Sequence, residues 1–210
     1  MLQYITDMTA PTGVAEQVRK VIEGGCRWIQ ISMRGASDEE ISAVVEEIKP
    51  LCLEKEAFLL LDGNVELAKT LNVGGVNLRK TDMLPSKARM ILGAGAVIGI
   101  EANTFDDVKA VRSLDVDYIA LRPYRHSPER EDDSPELGLE GIRRLSTEML
   151  ENEINIAHVA AGGVRKEDVV ELMEAGVNGV AVSRDIAYSA DIAKTTADYL
   201  AQLAPFMPKG

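Results

Sequence analysis

The chain has 210 residues, of which 46% are hydrophobic and 27% charged, a composition typical of one globular domain with a sizeable core. Its formal net charge of −11 repels nucleic acids and anionic membranes, so we exclude both as partners. Residues 1–7 lack the basic and apolar regions of a signal peptide, and no apolar run is long enough to span a bilayer. We therefore expect a soluble, cytoplasmic protein that forms a single domain over residues 1–210.

Short apolar runs alternate with longer amphipathic stretches along the chain. The runs are too short for helices and most are rich in valine, isoleucine, leucine or aromatic residues, which predicts strands. These predicted strands are Leu2–Thr6, Trp28–Met33, Phe58–Leu61, Gly75–Leu78, Val97–Ile100, Tyr118–Leu121, Ile156–Ala160 and Gly179–Val182. Eight strands, each followed by a helix, predict a parallel α/β fold, the (β/α)8 TIM barrel, with an open doubly wound sheet as the alternative.

Two helix starts have a recognisable capping sequence. Ser37 and Glu40 have the spacing of a capping box, in which each side chain accepts a hydrogen bond from the other residue's backbone. Thr104 and Asp107 begin a second helix in the same way. Helices are also predicted over Glu140–Leu150 and Lys166–Ala175, which follow the same helical period.

Charged residues follow nearly every predicted strand. In a TIM barrel the functional site lies at the carboxyl ends of the strands. In so acidic a protein, basic residues that converge there indicate an anionic ligand, and the carboxylates between them indicate a bridging divalent cation. The alternative for any one residue is an exposed salt bridge. The long polar segment 122–137 follows the sixth strand, where long loops are more often functional than not.

A phosphate site is predicted after the seventh and eighth strands, where barrels often bind phosphate. Gly162 and Gly163 allow the backbone to approach an anion closely and to donate its N–H groups. Ser183 adds a hydroxyl and Arg184 a guanidinium. A plain tight turn would explain the glycines but not their combination with Ser183 and Arg184.

With these residues placed, the chain resembles the thiamine phosphate synthase and thiazole tautomerase superfamily nearly from end to end. No single segment is specific, but their order and spacing are. The segments that carry the resemblance are YITD (4–7), GGCRWIQISMR (24–34), FLLLDGNVELAKTLNVGGVNL (58–78), DYIALRPYRHSPER (117–130), LGLEGI (137–142), AAGGV (160–164) and GVAVSRDI (179–186).

The resemblance implies a transferase of thiamine biosynthesis. Members of the family join hydroxymethylpyrimidine diphosphate to a thiazole phosphate and release diphosphate, so the expected partners are small phosphorylated heteroaromatic compounds. The resemblance also implies Mg²⁺ as a cofactor, which would stabilise the leaving anion together with basic side chains. Little proton transfer is needed, which agrees with the lack of an obvious histidine base.

The residues expected at the diphosphate follow from the resemblance position by position. Gln30 matches the family glutamine, Ser32 occupies the position of the family arginine, and Arg34 matches the next basic residue. In the loop after the sixth strand, Ser127 stands for a threonine and Arg130 for the family lysine. Arg for Lys keeps the charge but not the geometry.

The expected metal ligands are Asp62 and Asp82. The family's Asn-Asp pair aligns with Asp62 and Gly63, so the first metal aspartate is missing in place and Asp62 lies one residue away. Asp82 matches the second metal aspartate. We predict Asp82, Arg34 and Arg130 as catalytic residues.

Four further residues are predicted to contact substrate. Asn64 follows the third strand, Glu101 aligns with a family serine, and Asn103 aligns with a family histidine. Tyr124 is the aromatic residue best placed to stack on a heteroaromatic ring. Glu101 brings negative charge close to the expected diphosphate, so binding of a thiazole phosphate is the better preserved half of the function.

Two other functions stay open beside the synthase. The first is a thiazole tautomerase-like isomerase, for which His126 is a candidate general acid or base. The second is a non-catalytic protein that binds thiazole or thiamine phosphate. His158 lies in the middle of the seventh strand and is expected to be packed. A homo-oligomer is also possible.

Overall fold

The computed structural model describes residues 1–126 and 134–207 and contains a closed barrel of eight parallel strands. The strands pair in chain order, and β8 closes the barrel against β1. This confirms the TIM barrel and rules out the open sheet. The strands are β1 Leu2–Ile5, β2 Trp28–Ile31, β3 Phe58–Asp62, β4 Gly75–Leu78, β5 Val97–Ala102, β6 Tyr118–Leu121, β7 Ala157–Ala161 and β8 Gly179–Val182.

The strand ends differ slightly from the prediction. Strand β2 stops at Ile31 because the next N–H, that of Ser32, donates to the side-chain oxygen Oγ1 of Thr6 at 2.9 Å rather than to a strand carbonyl. Strand β5 runs two residues further than predicted because Glu101 and Ala102 still pair with β6. Both differences lie at the end of the barrel where functional residues are expected.

Helices cover the outside of the barrel. The α-helices are α1 Val14–Glu23, α2 Asp38–Glu54, α3 Val65–Thr70, α4 Pro85–Leu92, α5 Phe105–Val111, α6 Gly138–Glu151, α7 Val169–Glu174, α8 Arg184–Ala187 and α9 Ile192–Leu203, with short 3₁₀ helices at Lys166–Asp168 and Ala204–Phe206. Within residues 1–126 and 134–207, none of them has the length and apolar character needed to cross a membrane.

Both predicted capping boxes are present. The hydroxyl of Ser37 accepts from the N–H of Glu40, whose carboxylate accepts in return from Ser37 N–H. Thr104 and Asp107 make the same reciprocal pair at the start of α5. The predicted helix over residues 166–175 begins instead as a 3₁₀ turn before α7.

Two apolar clusters follow from the alternation of side chains along each strand. The larger cluster lies between the outward side chains of the strands and the helices, and it includes Ile119 and Leu121 of β6. The smaller cluster contains the alternate residues, which point into the barrel: Leu60, Tyr118, Ala120, Val159, Ala161 and Ala181. Three of these six residues are alanines, which leaves space inside the barrel.

Candidate active site

A cavity of about 890 Å³ opens at the carboxyl ends of the strands. Its wall is formed by residues from all eight strands and the loops that follow them. Among the lining residues are Gln3, Asp7, Gln30, Ser32, Arg34, Asp62, Asn77, Arg79, Glu101, Ala120, Arg122, Arg125, His126, Ala161, Gly162, Gly163, Arg165, Ala181, Ser183 and Arg184. The position agrees with the expectation for this barrel, and the volume suits small organic ligands.

The lower part of the cavity has one apolar side. Ala120, Ala161 and Ala181 come from the neighbouring strands β6, β7 and β8 and form what we call the alanine wall. All three side chains are buried and lie in the interior cluster. Because an alanine side chain is a single methyl group, this side of the barrel leaves a flat space next to its strands.

A hydrogen-bonded group that we call the amide floor is formed by Gln3, Gln30, Asn77 and Tyr118. Gln3 Nε2 donates to Gln30 Oε1 at 3.2 Å and to the Tyr118 hydroxyl at 3.0 Å. That hydroxyl donates to Asn77 Oδ1 at 3.0 Å. Burial raises the pKa of Tyr118 far above its ordinary value, so the phenol keeps its proton. The floor therefore offers fixed amide groups for the edge of a polar ring.

A charged network joins the ends of β2, β3 and β4. Arg34 Nε donates to Asp62 Oδ1 at 2.9 Å, and its Nη1 donates to Asp82 Oδ1 at 3.1 Å. The Ser32 hydroxyl donates to Asp62 Oδ2 at 2.7 Å, and Arg79 Nη2 lies 3.5 Å from the same oxygen. We call Arg34, Asp62, Asp82, Ser32 and Arg79 the charged network. In this network the carboxylates of Asp62 and Asp82 hold the guanidinium of Arg34 at the mouth of the cavity.

The network fixes the charge of its members. Partial burial alone would lower the pKa of Arg34, but hydrogen bonds and ion pairs with Asp82 and Asp62 outweigh it and raise that pKa. For Asp82, partial burial alone would raise the pKa. Hydrogen bonds from Arg34 and from the backbone N–H of Arg79 outweigh that effect and keep the pKa of Asp82 below the ordinary value of 3.8. All of these interactions favour the ionised forms at neutral pH.

A second ion pair lies deeper in the wall. Arg122 Nη1 donates to Glu101 Oε1 at 3.0 Å, and the two side chains are 12% and 10% exposed. Both residues line the cavity, Glu101 from β5 and Arg122 from the position directly after β6. Breaking such a buried pair from one side leaves an uncompensated charge, so each partner fixes the position of the other.

The two glycines after β7 are held against the loop that follows β6. Arg125 Nη1 donates to Gly163 O at 2.6 Å, and both terminal nitrogens of Arg125 donate to Asp168 at 3.0 Å. A Cβ on Gly163 would lie 2.7 Å from the carbonyl oxygen of Arg125. We call Gly162 and Gly163 the glycine loop. Its backbone lines the cavity with no side chain in the way.

Ser183 and Arg184 lie beside the glycine loop at the end of β8. Both line the cavity. The Arg184 guanidinium carbon is 4.1 Å from the centre of the Tyr188 ring, and its Nη1 is 3.9 Å from Asp7 Oδ2. The face of the Tyr188 ring attracts the guanidinium and helps to hold it beside the cavity. The structure thus brings together the four residues predicted to bind phosphate.

Most of the predicted site residues line the same cavity. Those that do are Gln30, Ser32, Arg34, Asp62, Glu101, Gly162, Gly163, Ser183 and Arg184. Asp82 is one step removed and contacts the cavity through Arg34. Ser127 and Arg130 lie outside the described residues.

Three predicted substrate contacts have other partners instead of a place on the cavity wall. Asn64 caps α3: its Oδ1 accepts from Leu67 N, and its Nδ2 donates to Asp38. Asn103 donates to the carbonyls of Arg122 and Pro135, on either side of residues 127–133. The Tyr124 hydroxyl donates to Asp168 Oδ1 at 3.3 Å, and its ring is buried. These side chains hold the loops that shape the site.

The structure adds residues that the prediction did not select. Asn77, Arg79 and Arg122 line the cavity, and so does Gln3 at the start of the barrel. Alternation along β4 could have found Asn77, because it places residue 77 on the inner face. No local pattern in the sequence identifies Gln3, which lies four residues before Asp7, the charged residue after the first strand.

The expected Mg²⁺ ligands do not fit a preformed site. Each oxygen of Asp62 and Asp82 already accepts a hydrogen bond from Arg34, Ser32 or the backbone of Arg79. Across residues 1–126 and 134–207, no group of three or more His, Cys, Asp or Glu residues is arranged to hold a metal. Mg²⁺ needs a nearly ideal octahedron of oxygen ligands, which these occupied carboxylates do not supply.

Comparison with known proteins agrees with the geometry. Residues 2–186 match the family described as thiamine monophosphate synthase. A thiamine-phosphate synthase of Bacteroides fragilis is 46% identical over 195 residues, 93% of this chain and 96% of the relative. One of Flavobacterium johnsoniae is 36% identical over 87% and 86% of the two chains.

A solved structure shares the same architecture. The thiamine phosphate pyrophosphorylase of Pyrococcus furiosus superimposes with a TM-score of 0.87 at 25% identity, covering 99% of this chain and 96% of that one. The match spans all eight strands and the loops that form the cavity. The fold, the cavity and these relatives together place the chain in the thiamine monophosphate synthase family.

Proposed function

We propose that the chain is a thiamine-phosphate synthase, a transferase that joins hydroxymethylpyrimidine diphosphate to a thiazole phosphate with release of diphosphate. One observation carries the proposal: a single cavity is lined by arginines after β2, β4 and β6 and by the glycine loop with Arg184 after β7 and β8, and its lining also includes the alanine wall and the amides of Gln3, Gln30 and Asn77. Two phosphorylated rings that react with each other need this arrangement. The names of the relatives support it.

The diphosphate binds, in this proposal, at the charged network and Arg122. Arg34, Arg79 and Arg122 line one side of the cavity, and guanidinium groups bind phosphate oxygens through paired hydrogen bonds. Arg79 and Arg122 supply the positive charge that the family arginine would provide at residue 32. Because the carboxylates hold these arginines in place before substrate arrives, little ordering is needed on binding.

The pyrimidine ring lies between the alanine wall and the amide floor. A flat ring fits the space that Ala120, Ala161 and Ala181 leave open, and its nitrogen atoms meet the amides of Gln30 and Asn77. A site with fixed amide partners discriminates strongly against rings that lack the matching hydrogen-bonding groups.

The thiazole phosphate binds at the glycine loop with Ser183 and Arg184. The backbone of Gly162 and Gly163 can approach the phosphate closely, while Arg184 contributes charge. This end lies across the cavity mouth from the charged network, so the two rings meet above the alanine wall.

The reaction follows from the charges around the cavity. The C–O bond to the diphosphate breaks with its electron pair going to the diphosphate oxygen, and the thiazole nitrogen donates its lone pair to form the new C–N bond. Arginines at the diphosphate stabilise the leaving anion, and the carboxylates of Asp62 and Glu101 favour positive charge on the methylene carbon. The nitrogen carries no proton, so no general base is required.

Three accompanying properties belong to the proposal. Mg²⁺ is expected to enter with the diphosphate, because phosphates together with one or two carboxylates complete its ligand set. A biosynthetic enzyme with phosphorylated small-molecule substrates is expected in the cytoplasm. A homo-oligomer stays a prediction that sedimentation of the purified protein would test.

The test is single-turnover formation of thiamine phosphate from both substrates, with and without Mg²⁺. Arg34→Ala should lower the rate about 100-fold, the usual cost of losing one group that stabilises charge in the transition state. Arg19→Ala is the matched control, because Arg19 forms exposed ion pairs on α1 and α2, away from the cavity, and should leave the rate unchanged. Absence of product from the wild-type protein, with thiazole phosphate still bound, would refute the synthase and favour an isomerase using His126 or a ligand-binding protein.

A further inference from the structure

The guanidinium of Arg34 lies directly over Gly63. A Cβ built on Gly63 would be 2.8 Å from Arg34 Nη2 and 3.1 Å from the guanidinium carbon. Any side chain at residue 63 would therefore compete with Arg34 for the same space. The absence of a side chain at residue 63 lets Arg34 reach Asp62 and Asp82 together.

This arrangement puts a monovalent cation where two carboxylates converge. The Arg34 side chain is 30% exposed, Asp82 19% and Asp62 3%, so the guanidinium covers the more deeply buried carboxylate. A divalent cation that approached these carboxylates would meet a like charge and occupied oxygens. Both effects oppose metal binding.

We propose that Arg34 keeps divalent cations off Asp62 and Asp82 in the free protein, because its guanidinium fills the space over Gly63 and donates to oxygens of both carboxylates. The inference concerns the protein without substrate, so it does not depend on the proposed function.

The experiment measures Mn²⁺ binding to the free protein by electron paramagnetic resonance, without substrate or diphosphate. Wild-type protein should bind Mn²⁺ weakly, and Arg34→Gln should bind it at least about tenfold more tightly because one repelling charge is gone. The gain should disappear in Arg34→Gln combined with Asp82→Asn. Arg19→Gln makes the same change in net charge at an exposed ion pair away from the cavity and should behave as wild type.

A second variant guards against a folding defect in the first. Gly63→Asp places a carboxylate in the space now filled by the guanidinium and should also tighten Mn²⁺ binding at least about tenfold. Circular dichroism checks that each variant is folded. Tight Mn²⁺ binding by the wild-type protein, or no gain in folded Arg34→Gln and Gly63→Asp, would overturn the inference. Because no substrate is present, this result is independent of whether the synthase activity is found.

Discussion

Gly163 combines a left-handed backbone with a close approach to a neighbouring loop. Its φ is +64°, a conformation that side chains disfavour, and the space a Cβ would occupy is 2.7 Å from the carbonyl oxygen of Arg125. Gly138 has a similar φ of +56° but nothing within 4 Å of its missing Cβ. A comparison of Gly163 with Gly138 therefore separates the free-energy cost of a positive φ from the cost of contact between a Cβ and the Arg125 carbonyl oxygen.

Gly163→Ala is expected to reduce both stability and affinity for thiazole phosphate. Backbone strain costs about 1 kcal/mol, which Gly138→Ala should show alone, and displacement of the Arg125 loop adds to it at Gly163. Urea unfolding measures the free energy, and titration with thiazole phosphate measures the affinity. Equal effects of the two substitutions on both quantities would show that the close approach at Gly163 is unimportant.

Residues that line the cavity could be predicted from the sequence better than residues that hold the surrounding loops in place. Gln30, Arg34 and Asp62 could be placed because the carboxyl ends of parallel strands must converge. Asn64 and Asn103 also follow strands, but they lie after the ends of β3 and β5. There the start of α3 and a loop carbonyl take up their side-chain hydrogen bonds. Spacing alone does not distinguish a residue that faces the cavity from one that holds a loop.

Among the helices and strands, α2 shows that a four-residue capping sequence is enough to predict where a helix begins. The capping box of Ser37 and Glu40 fixes where the helix begins, and Ile41, Val45 and Ile48 are buried on its inner face at helical spacing. The strand ends were less certain, because β2 ends where the Thr6 hydroxyl replaces a carbonyl partner. A contact between distant residues cannot be inferred from local pattern.

Ser37→Ala should lower the free energy of unfolding by about 1 kcal/mol, the typical value of an N-cap. Ser42→Ala in the same helix is the control, because the Ser42 hydroxyl only donates to the Asp38 carbonyl and alanine is the better helix former. Urea denaturation followed by circular dichroism compares the two. A loss of stability at Ser42 as large as that at Ser37 would refute the role assigned to the cap.

For the whole molecule, the response to acid follows from carboxylates whose pKa values lie below the ordinary value of 3.8. Partial burial alone would raise the pKa of each, but hydrogen bonds from basic side chains and backbone N–H groups outweigh it. The carboxylates are Asp82, Asp107 and Asp168, and their basic partners are Arg34, Lys80 and Arg125. Such groups bind protons less readily in the folded state than in the unfolded chain.

Stability should therefore be complete above about pH 4 and be lost as the pH falls through the lowered pKa values. Urea midpoints measured between pH 7 and pH 3 test this. Asp168→Asn should be less stable at pH 7 and lose less on acidification, because the Arg125 ion pair is already gone. Asp106→Asn, at an exposed side chain, should follow the wild-type curve. A wild-type midpoint that stays constant down to pH 3 would contradict the prediction.

Two separate parts of the chain supply the groups at the two ends of the cavity. The charged network and the amides of Gln30 and Asn77 come from residues 30–82, whereas the alanine wall, the glycine loop and Arg184 come from residues 120–184. The first part of the gene therefore encodes the charged network proposed to hold the diphosphate, and the second encodes the glycine loop and Arg184 proposed to hold the thiazole phosphate. Mutations in one contiguous stretch of DNA can alter one of these two anion sites while leaving the other intact.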